Sequence, residues 1–269
     1  MSEITNFTRD CLLVRKQSPL VHNITNYVAM SLSANALLAI GASPLMSAEP
    51  LEMEQIVAVS SSLVINIGCL ESVSIKAMEL AASCASRLGR PWVLDPVGAG
   101  ASSLRTDTAL GLVERHHPCV IRANASEVLA LAGISAVSHG VDSAADSRDA
   151  LDAARQLAKR WGTVVSMSGE VDYITDGTSV ISIANGSPML PRVTAMGCTA
   201  SALTGAFVAV DGDVLQAAAS AMALAGVAGE MAAARSRGTG SLQVEYLDIL
   251  STFNPEEIEK QIRYEQSRP

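Results

Sequence analysis

Four short segments carry residue types and spacings that could act on a charged ligand. The first, Asp95-Pro96-Val97-Gly98-Ala99-Gly100, follows a buried apolar run. An acid at such a strand end can hold a metal ion or its waters, and the glycines let backbone approach a ligand closely. A tight strand-to-helix turn accounts for the same residues. Gly98-x-Gly100-x-x-Ser103 departs from the dinucleotide fingerprint at its third position, which calls for Gly or Ala. The second segment, Arg122-Ala123-Asn124-Ala125-Ser126-Glu127, has two equal interpretations. It is either a helix capping box from Asn124 to Glu127 or a second acidic group at the same sheet edge, ordering magnesium-bound water.

The third segment runs from Arg192 to Ser201 and opens a helix with small residues, Ala195-Met196-Gly197-Cys198. The first amides of a helix lack partners and face the positive end of its dipole, so this start can cradle an anion. Cys198 in that first turn is expected to have its thiolate favoured, with a pKa below the ~8.5 of a free thiol. The alternative is a small buried hydrophobe that lets the helix pack closely. The fourth segment is Val21-His22-Asn23-Ile24-Thr25-Asn26-Tyr27. His22 has no His or Cys neighbour and reads as a hydrogen-bonded structural residue rather than a metal ligand. The chain has no Gly-Lys pair, so a P-loop is excluded and any nucleotide phosphate needs another cradle.

The elements that must position these segments follow from the hydrophobic pattern. Leu63–Ile67, Trp92–Leu94, Cys119–Ile121 and Thr163–Met167 read as buried strands. Helical patterns lie between them near Glu71–Arg87, Leu104–Arg115, Ser126–Ala132 and Asp146–Trp161. β-branched strands alternating with helices of this length predict an α/β fold, a mostly parallel central sheet with helices on both faces. Two short alternating runs flank Asp176-Gly177, a hairpin signal. The last third is predicted helical over Gly197–Val210, Val214–Ala234 and Gln243–Thr252, with a final helix from Pro255 capped by Asn254. No repeat or low-complexity linker interrupts the chain, so residues 1–269 read as one domain.

Composition excludes other classes. At 269 residues the chain can bury a full core, and with aromatics at 3% that core must be aliphatic. A net charge of −8 without like-charge runs argues against nucleic-acid binding, which needs a basic footprint. The five cysteines are scattered with no Cys-x-x-Cys pair, so neither a disulfide framework nor a zinc cluster is expected, and a reducing compartment fits. There is no basic-then-apolar signal pattern at the N-terminus. The Ala-rich stretch from Ala200 to Ala234 is broken at Asp211-Gly212-Asp213, and neither half is expected to reach membrane-spanning length. A soluble, cytoplasmic protein without membrane contact is predicted.

Taken in order, these segments resemble the ribokinase-like superfamily. His22-Asn23-Ile24-Thr25-Asn26, Pro44-Leu45-Met46-Ser47, Asn66-Ile67-Gly68, Asp95 to Gly100 and Gly197-Cys198 are similar to the ordered motifs of its hydroxyethylthiazole kinase family, over nearly the whole chain. The resemblance implies a ribokinase-like three-layer sandwich and a homotrimer with active sites between subunits. It implies transfer of the ATP γ-phosphoryl to the hydroxyl of 4-methyl-5-(2-hydroxyethyl)thiazole in thiamine salvage. By the same match, Met46, Asn26, Gly68 and Ala195 contact or line the thiazole site. Arg122 and Ser168 contact ATP, Asp95 and Glu127 organise magnesium, and Gly197 and Cys198 face the transferring group. The chain departs from the family's pattern at Ala195, usually Gly, at Ser168, usually Thr, and at Gly238-Thr239-Gly240, usually Gly-Pro-Gly. Cys198 stands where most of the superfamily has an Asp base, which a loose phosphoryl-transfer transition state tolerates. Three alternatives remain at this stage: a hydroxymethylpyrimidine kinase, a hydrolase with Cys198 as nucleophile, and a nicotinamide oxidoreductase built on the Gly98 turn.

Overall fold

The computed structural model describes residues 6–134 and 143–267. The N-terminal part runs α1 (Phe7–Gln17), β1 (Leu20–Ile24), α2 (Met30–Ile40), β2 (Ser43–Met46), α3 (Met53–Val59) and β3 (Ser62–Asn66). It continues with α4 (Ser72–Leu88), β4 (Trp92–Asp95), α5 (Ser103–His116), β5 (Val120–Asn124), α6 (Ala125–Leu131), α7 (Ser143–Trp161) and β6 (Val164–Ser168). The remainder is β7 (Asp172–Thr175), β8 (Val180–Ile183), α8 (Met196–Val208), α9 (Val214–Arg235), α10 (Thr239–Thr252), α11 (Pro255–Glu259) and β9 (Tyr264–Ser267).

Among the described residues the strands form one nine-stranded sheet in the order β2-β1-β3-β4-β5-β6-β7-β8-β9. Pairing is parallel from β2 through β6 and antiparallel from β6 through β9. The hairpin expected at Asp176-Gly177 is the β7–β8 pair, with Gly177 at φ +89. Successive strand residues point to opposite faces, and the core divides accordingly. Val64, Val93, Val120 and Val164 pack with α1, α2, α8, α9 and α10 on one face. Leu63, Ile65, Trp92, Leu94, Ile121 and Val165 pack with α3 to α7 on the other. The result is a helix–sheet–helix sandwich, as the sequence predicts.

Helix α8 crosses the sheet at close range because its residues are small. A Cβ added at Gly205 would lie 2.5 Å from Val64 Cγ2 and 3.1 Å from Val21 Cγ1, and Ser62 Oγ donates to the Gly205 carbonyl at 2.7 Å. This contact sets the helix start over the C-terminal strand ends. α9, capped by Asp213, corrects one expectation: its 22 residues are long and apolar enough to cross a membrane by length and composition. Most of its apolar stretch is buried against α8, α10 and the sheet, the behaviour of a core helix.

Among the described residues, three strands and three α-helices outside the predicted set complete the fold. β1 carries the polar pair His22-Asn23 inside a buried strand, which hides its apolar period. β2 contains Pro44, whose missing N–H is tolerated at a sheet edge, and β2 is the edge strand. β9, Tyr264-Glu265-Gln266-Ser267, is mostly polar because it too closes an edge.

Candidate active site

In an open parallel sheet, ligands bind beyond the carboxyl ends of the strands. Here those ends present Asn66 from β3, Asp95 from β4, Asn124 from β5 and Ser168 from β6. Asn66 is the junction of the group. Its Oδ1 accepts from Asn26 Nδ2 at 3.0 Å and from the Gly68 amide at 2.9 Å, and its Nδ2 donates to Asp95 Oδ2 at 2.6 Å. Asn26 Oδ1 accepts from the Ala29 amide, which turns Asn26 Nδ2 toward both Asn66 and Cys198 Sγ, the latter at 3.3 Å. From α8, one turn beyond Cys198, Ser201 Oγ donates to Asp95 Oδ2 at 2.7 Å. The structure therefore brings Asn26, Gly68, Asp95 and Cys198 into one connected network. Sequence patterns alone assign no role to Asn66 or Ser201; a polar residue ending a buried apolar strand is the signal that marks Asn66.

Electrostatics separate the members of this group. Burial pushes the Asp95 carboxyl up to about 6 and nearby Glu127 adds to the rise, while Arg122 and the bonds from Ser201 and Asn66 oppose it. Cys198 corrects the sequence expectation. Burial raises its thiol pKa and the Asp95 charge adds to this; the donors Asn26 and Asn66 and the Arg122 charge pull down without prevailing. Desolvation outweighs the helix terminus, so Cys198 is a protonated thiol at neutral pH.

Arg122 projects from β5 and is 9% exposed, yet its Nε has no hydrogen-bond partner and no carboxylate is bonded to it among the described residues. A Cβ added at Gly197 would lie 3.0 Å from Arg122 Nη1, so the guanidinium rests against the first turn of α8. The first intrahelical bond there runs from the Thr199 amide to the Ala195 carbonyl, leaving the amides of Met196, Gly197 and Cys198 before it. A buried cation with unused donors beside free helix amides can hold an anion.

Ala195, the N-cap of α8, has φ +69, a left-handed conformation that strains any residue with a Cβ. Ala195→Gly is expected to raise stability by up to about 1 kcal/mol, read as a higher melting temperature. An unchanged or lower melting point would mean that no strain is held there.

Glu127 is placed by the capping box that one interpretation of the sequence expected. Asn124 Oδ1 accepts from the Glu127 amide and Glu127 Oε2 accepts from the Asn124 amide, both at 2.9 Å. Its Oε1 accepts from the Gly98 amide at 2.9 Å, tying the β4 loop to the start of α6. Ser168 ends β6 opposite Asn124, its hydroxyl 3.5 Å from the Ala123 carbonyl. Met46 ends edge strand β2 opposite Asn23, half-buried. Among the described residues no bond links Met46 to the Asn66 network. His22 Nε2 lies 3.0 Å from the Ser47 carbonyl, the hydrogen bond expected of it, and burial lowers its pKa; its Nδ1 is buried without a partner among the described residues.

Asp172, at the start of β7, accepts from the Gly169 amide at 3.0 Å and closes the turn after Ser168. Burial raises its carboxyl to about 6 against the pull of that bond and of Arg122. An Asp whose folded pKa exceeds its unfolded value of about 3.9 stabilises the fold fully only below that value, and the contribution is lost as pH rises through about 6. Asp172→Asn keeps the acceptor and removes the titration. Its stability should therefore gain on the wild type as pH rises from about 4 to just above about 6, by up to about 3 kcal/mol at the plateau, read as a higher melting temperature. Curves that run parallel across that range would refute the assignment.

A mostly parallel sheet between two layers of helices is the fold of the ribokinase-like proteins. A solved ribokinase-like superfamily protein from Enterococcus faecalis V583 superposes with a TM-score of 0.65 at 14% identity, covering 96% of this chain and 89% of that one. The chain belongs to the hydroxyethylthiazole kinase family, whose model matches residues 12–256. A solved hydroxyethylthiazole kinase protein from Pyrococcus horikoshii OT3 has a TM-score of 0.91 and 37% identity, covering 98% of this chain and all of that one. A curated hydroxyethylthiazole kinase from Nitratidesulfovibrio vulgaris (strain DP4) is 51% identical over 241 residues, 90% of each chain. The protein is thus a kinase. Among the described residues, none of His22, His116 and His117 is hydrogen-bonded to Cys198 as a hydrolase base would be, and His139 lies outside them.

Proposed function

We propose that the protein, acting as a single kinase domain over residues 1–269, transfers the γ-phosphoryl group of ATP to the side-chain hydroxyl of 4-methyl-5-(2-hydroxyethyl)thiazole, a step of thiamine salvage. The observation that carries this is the buried, unbonded Arg122 guanidinium against Gly197 at the start of α8. No other feature among the described residues offers a desolvated cation and free helix amides together.

Roles for the other residues follow from their positions. Arg122 and Ser168, at the ends of β5 and β6, hold the phosphates of ATP. The amides of Met196, Gly197 and Cys198 neutralise charge on the transferring group, where positioning and electrostatics supply most of the rate. Asn26, Gly68, Met46 and Ala195 bound the thiazole. Cys198 accepts a hydrogen bond from Asn26, so its own S–H is free to point toward the substrate hydroxyl as a weak polar partner.

Magnesium fits the donor set in a limited way. Among the described residues no group of three or more His, Cys, Asp or Glu could hold a metal. Asp95 and Glu127 do lie close enough for Glu127 to raise the Asp95 pKa. Asp95 Oδ1 carries no hydrogen bond among the described residues, and each Glu127 oxygen keeps a lone pair beyond its amide bond. One or two carboxylates completed by substrate phosphates and water suit magnesium. Bound there, the ion would offset phosphate charge.

Exposed apolar side chains support a homotrimer with the thiazole site at the subunit boundary. Tyr27 and Val28 follow Asn26 and are 66% and 68% exposed, and Leu51, close after Met46, is 90% exposed. The composition and charge fit a cytoplasmic enzyme without nucleic-acid or membrane partners. The test is incubation of purified protein with magnesium–ATP and a panel of thiazole, pyrimidine and pyridine alcohols. ADP release stimulated most by the thiazole alcohol is expected. A pyrimidine preference would move the assignment to the neighbouring kinase class, and sedimentation as a monomer would remove the trimer.

A further inference from the structure

Arg105 occupies an unusual position for a surface-helix arginine. It leaves the first turn of α5, where its amide bonds to the Ser102 cap, and its side chain turns inward across the sheet end. Nη1 donates to the Ile67 carbonyl at 2.8 Å and to the Val97 carbonyl at 2.9 Å, and Nη2 donates to the Gly68 carbonyl at 3.1 Å. No carboxylate is bonded to it among the described residues; three carbonyls take its donors instead. Gly98, at φ +74, makes room for the stem, since a Cβ there would sit 3.2 Å from Arg105 Cδ.

The two loops it joins are the ones the site depends on. Ile67 and Gly68 follow β3, and Val97 follows Asp95 on β4. Gly68 is tightly held: a Cβ there would lie 2.8 Å from Asn26 Nδ2 and 2.9 Å from Asn66 Oδ1. A shift of Gly68 would therefore disturb Asn66 and Asn26, and through Asn26 the Cys198 sulfur. On the other side, the Gly98 amide passes the connection to Glu127. A guanidinium is suited to this because its planar fork reaches several carbonyls at fixed angles, whereas an ammonium is a single mobile point.

We propose that Arg105 is a positioning residue for the phosphoryl-transfer reaction, locking the thiazole-pocket loop after β3 to the acidic loop after β4. This rests on the thiazole assignment made above. It touches neither substrate nor phosphate; it acts by holding Gly68 and Val97 in register, and a displacement of an ångström at a reacting site is costly.

Arg105→Met and Arg105→Lys are compared with the wild type in assays varying the thiazole alcohol and magnesium–ATP separately. Hydrogen exchange at the 67–70 and 97–100 amides is measured on the same samples. Arg105→Met is expected to raise KM for the alcohol by about tenfold and to lower kcat, with KM for ATP within about twofold. Arg105→Lys should fall between, and exchange at both loops should quicken in the same order. An unchanged alcohol KM with unchanged exchange overturns the proposal, as does an equal loss in all parameters that merely tracks the folded fraction. If Arg105→Met does not fold, the lysine variant is judged by the same two readouts. A wild type that ignores the thiazole alcohol refutes the substrate assignment, and the exchange measurement then still decides whether Arg105 clamps the loops.

Discussion

Arg122→Met is expected to lower kcat/KM for ATP by about a hundredfold to a thousandfold, the range for losing a preorganised charge donor in a desolvated site. The expectation rests on an imbalance in the structure. A buried guanidinium normally finds a carboxylate, yet Asp95 and Asp172 lie in the Arg122 field without bonding to it, and Asp95 is bonded to Asn66 and Ser201 instead. The donors of Arg122 are thus left open, and on the proposed reading they take an anion that arrives with the substrate. On that reading, removing them takes away phosphate binding, and it also removes the positive charge that offsets burial of Asp95, Asp172 and Cys198. Arg122→Lys keeps the charge without the fork and should recover part of the loss. ADP release at varied ATP checks this, with circular dichroism confirming the fold. Activity of Arg122→Met within about fivefold of wild type would mean the phosphates lie elsewhere.

Cys198→Asp is expected to retain or raise kcat, while Cys198→Ala lowers it by about tenfold, a modest loss for a group acting as an acid–base partner. The thiol sits where burial and Asp95 both disfavour its ionised form, so at neutral pH it is a poor base. The same surroundings would act differently on a carboxyl. Burial and the neighbouring Asp95 would raise the pKa of an aspartate there from its usual acidic range toward neutrality, where a general base works best. Asn26 Nδ2, which now donates to the sulfur, would donate to the new carboxylate. The activity of Cys198→Ala should persist because the helix amides, Arg122 and substrate positioning remain. Complete loss of thiazole phosphorylation in a folded Cys198→Asp protein would overturn this role for the position. Measuring kcat against pH for the wild type and both variants distinguishes base catalysis from packing.

Much of this architecture is written in local pattern. The apolar runs at 63–67, 92–94, 119–121 and 163–167 match β3 to β6 within a few residues, because a strand buried on both faces needs a continuous apolar run. The Asn124–Glu127 box and the Asp176-Gly177 hairpin are also local, since their partners lie within a few residues of each other. β1 was hidden for the opposite reason. His22 and Asn23 break its apolar run; their side chains are buried because His22 Nε2 meets the Ser47 carbonyl and Asn23 Nδ2 donates to the Val21 carbonyl.

The sequence by itself determined the sandwich of helices about a mostly parallel sheet, the strand ends that carry acids and glycines, and the small-residue helix start at Ala195 to Cys198. Those features depend on periodicity, caps and turn residues, which act over a few positions. Only the tertiary structure decided that burial raises the Cys198 pKa, that Arg122 lies unbonded against Gly197, that Asn66 and Ser201 bond to Asp95, and that Arg105 bonds to the carbonyls of the loops after β3 and β4. Each of these depends on which groups from distant segments exclude water from one another. A thiol at a helix start is acidic in water and weakly acidic when buried beside a carboxylate, and that burial arises only when α8 lies across β1 and β3.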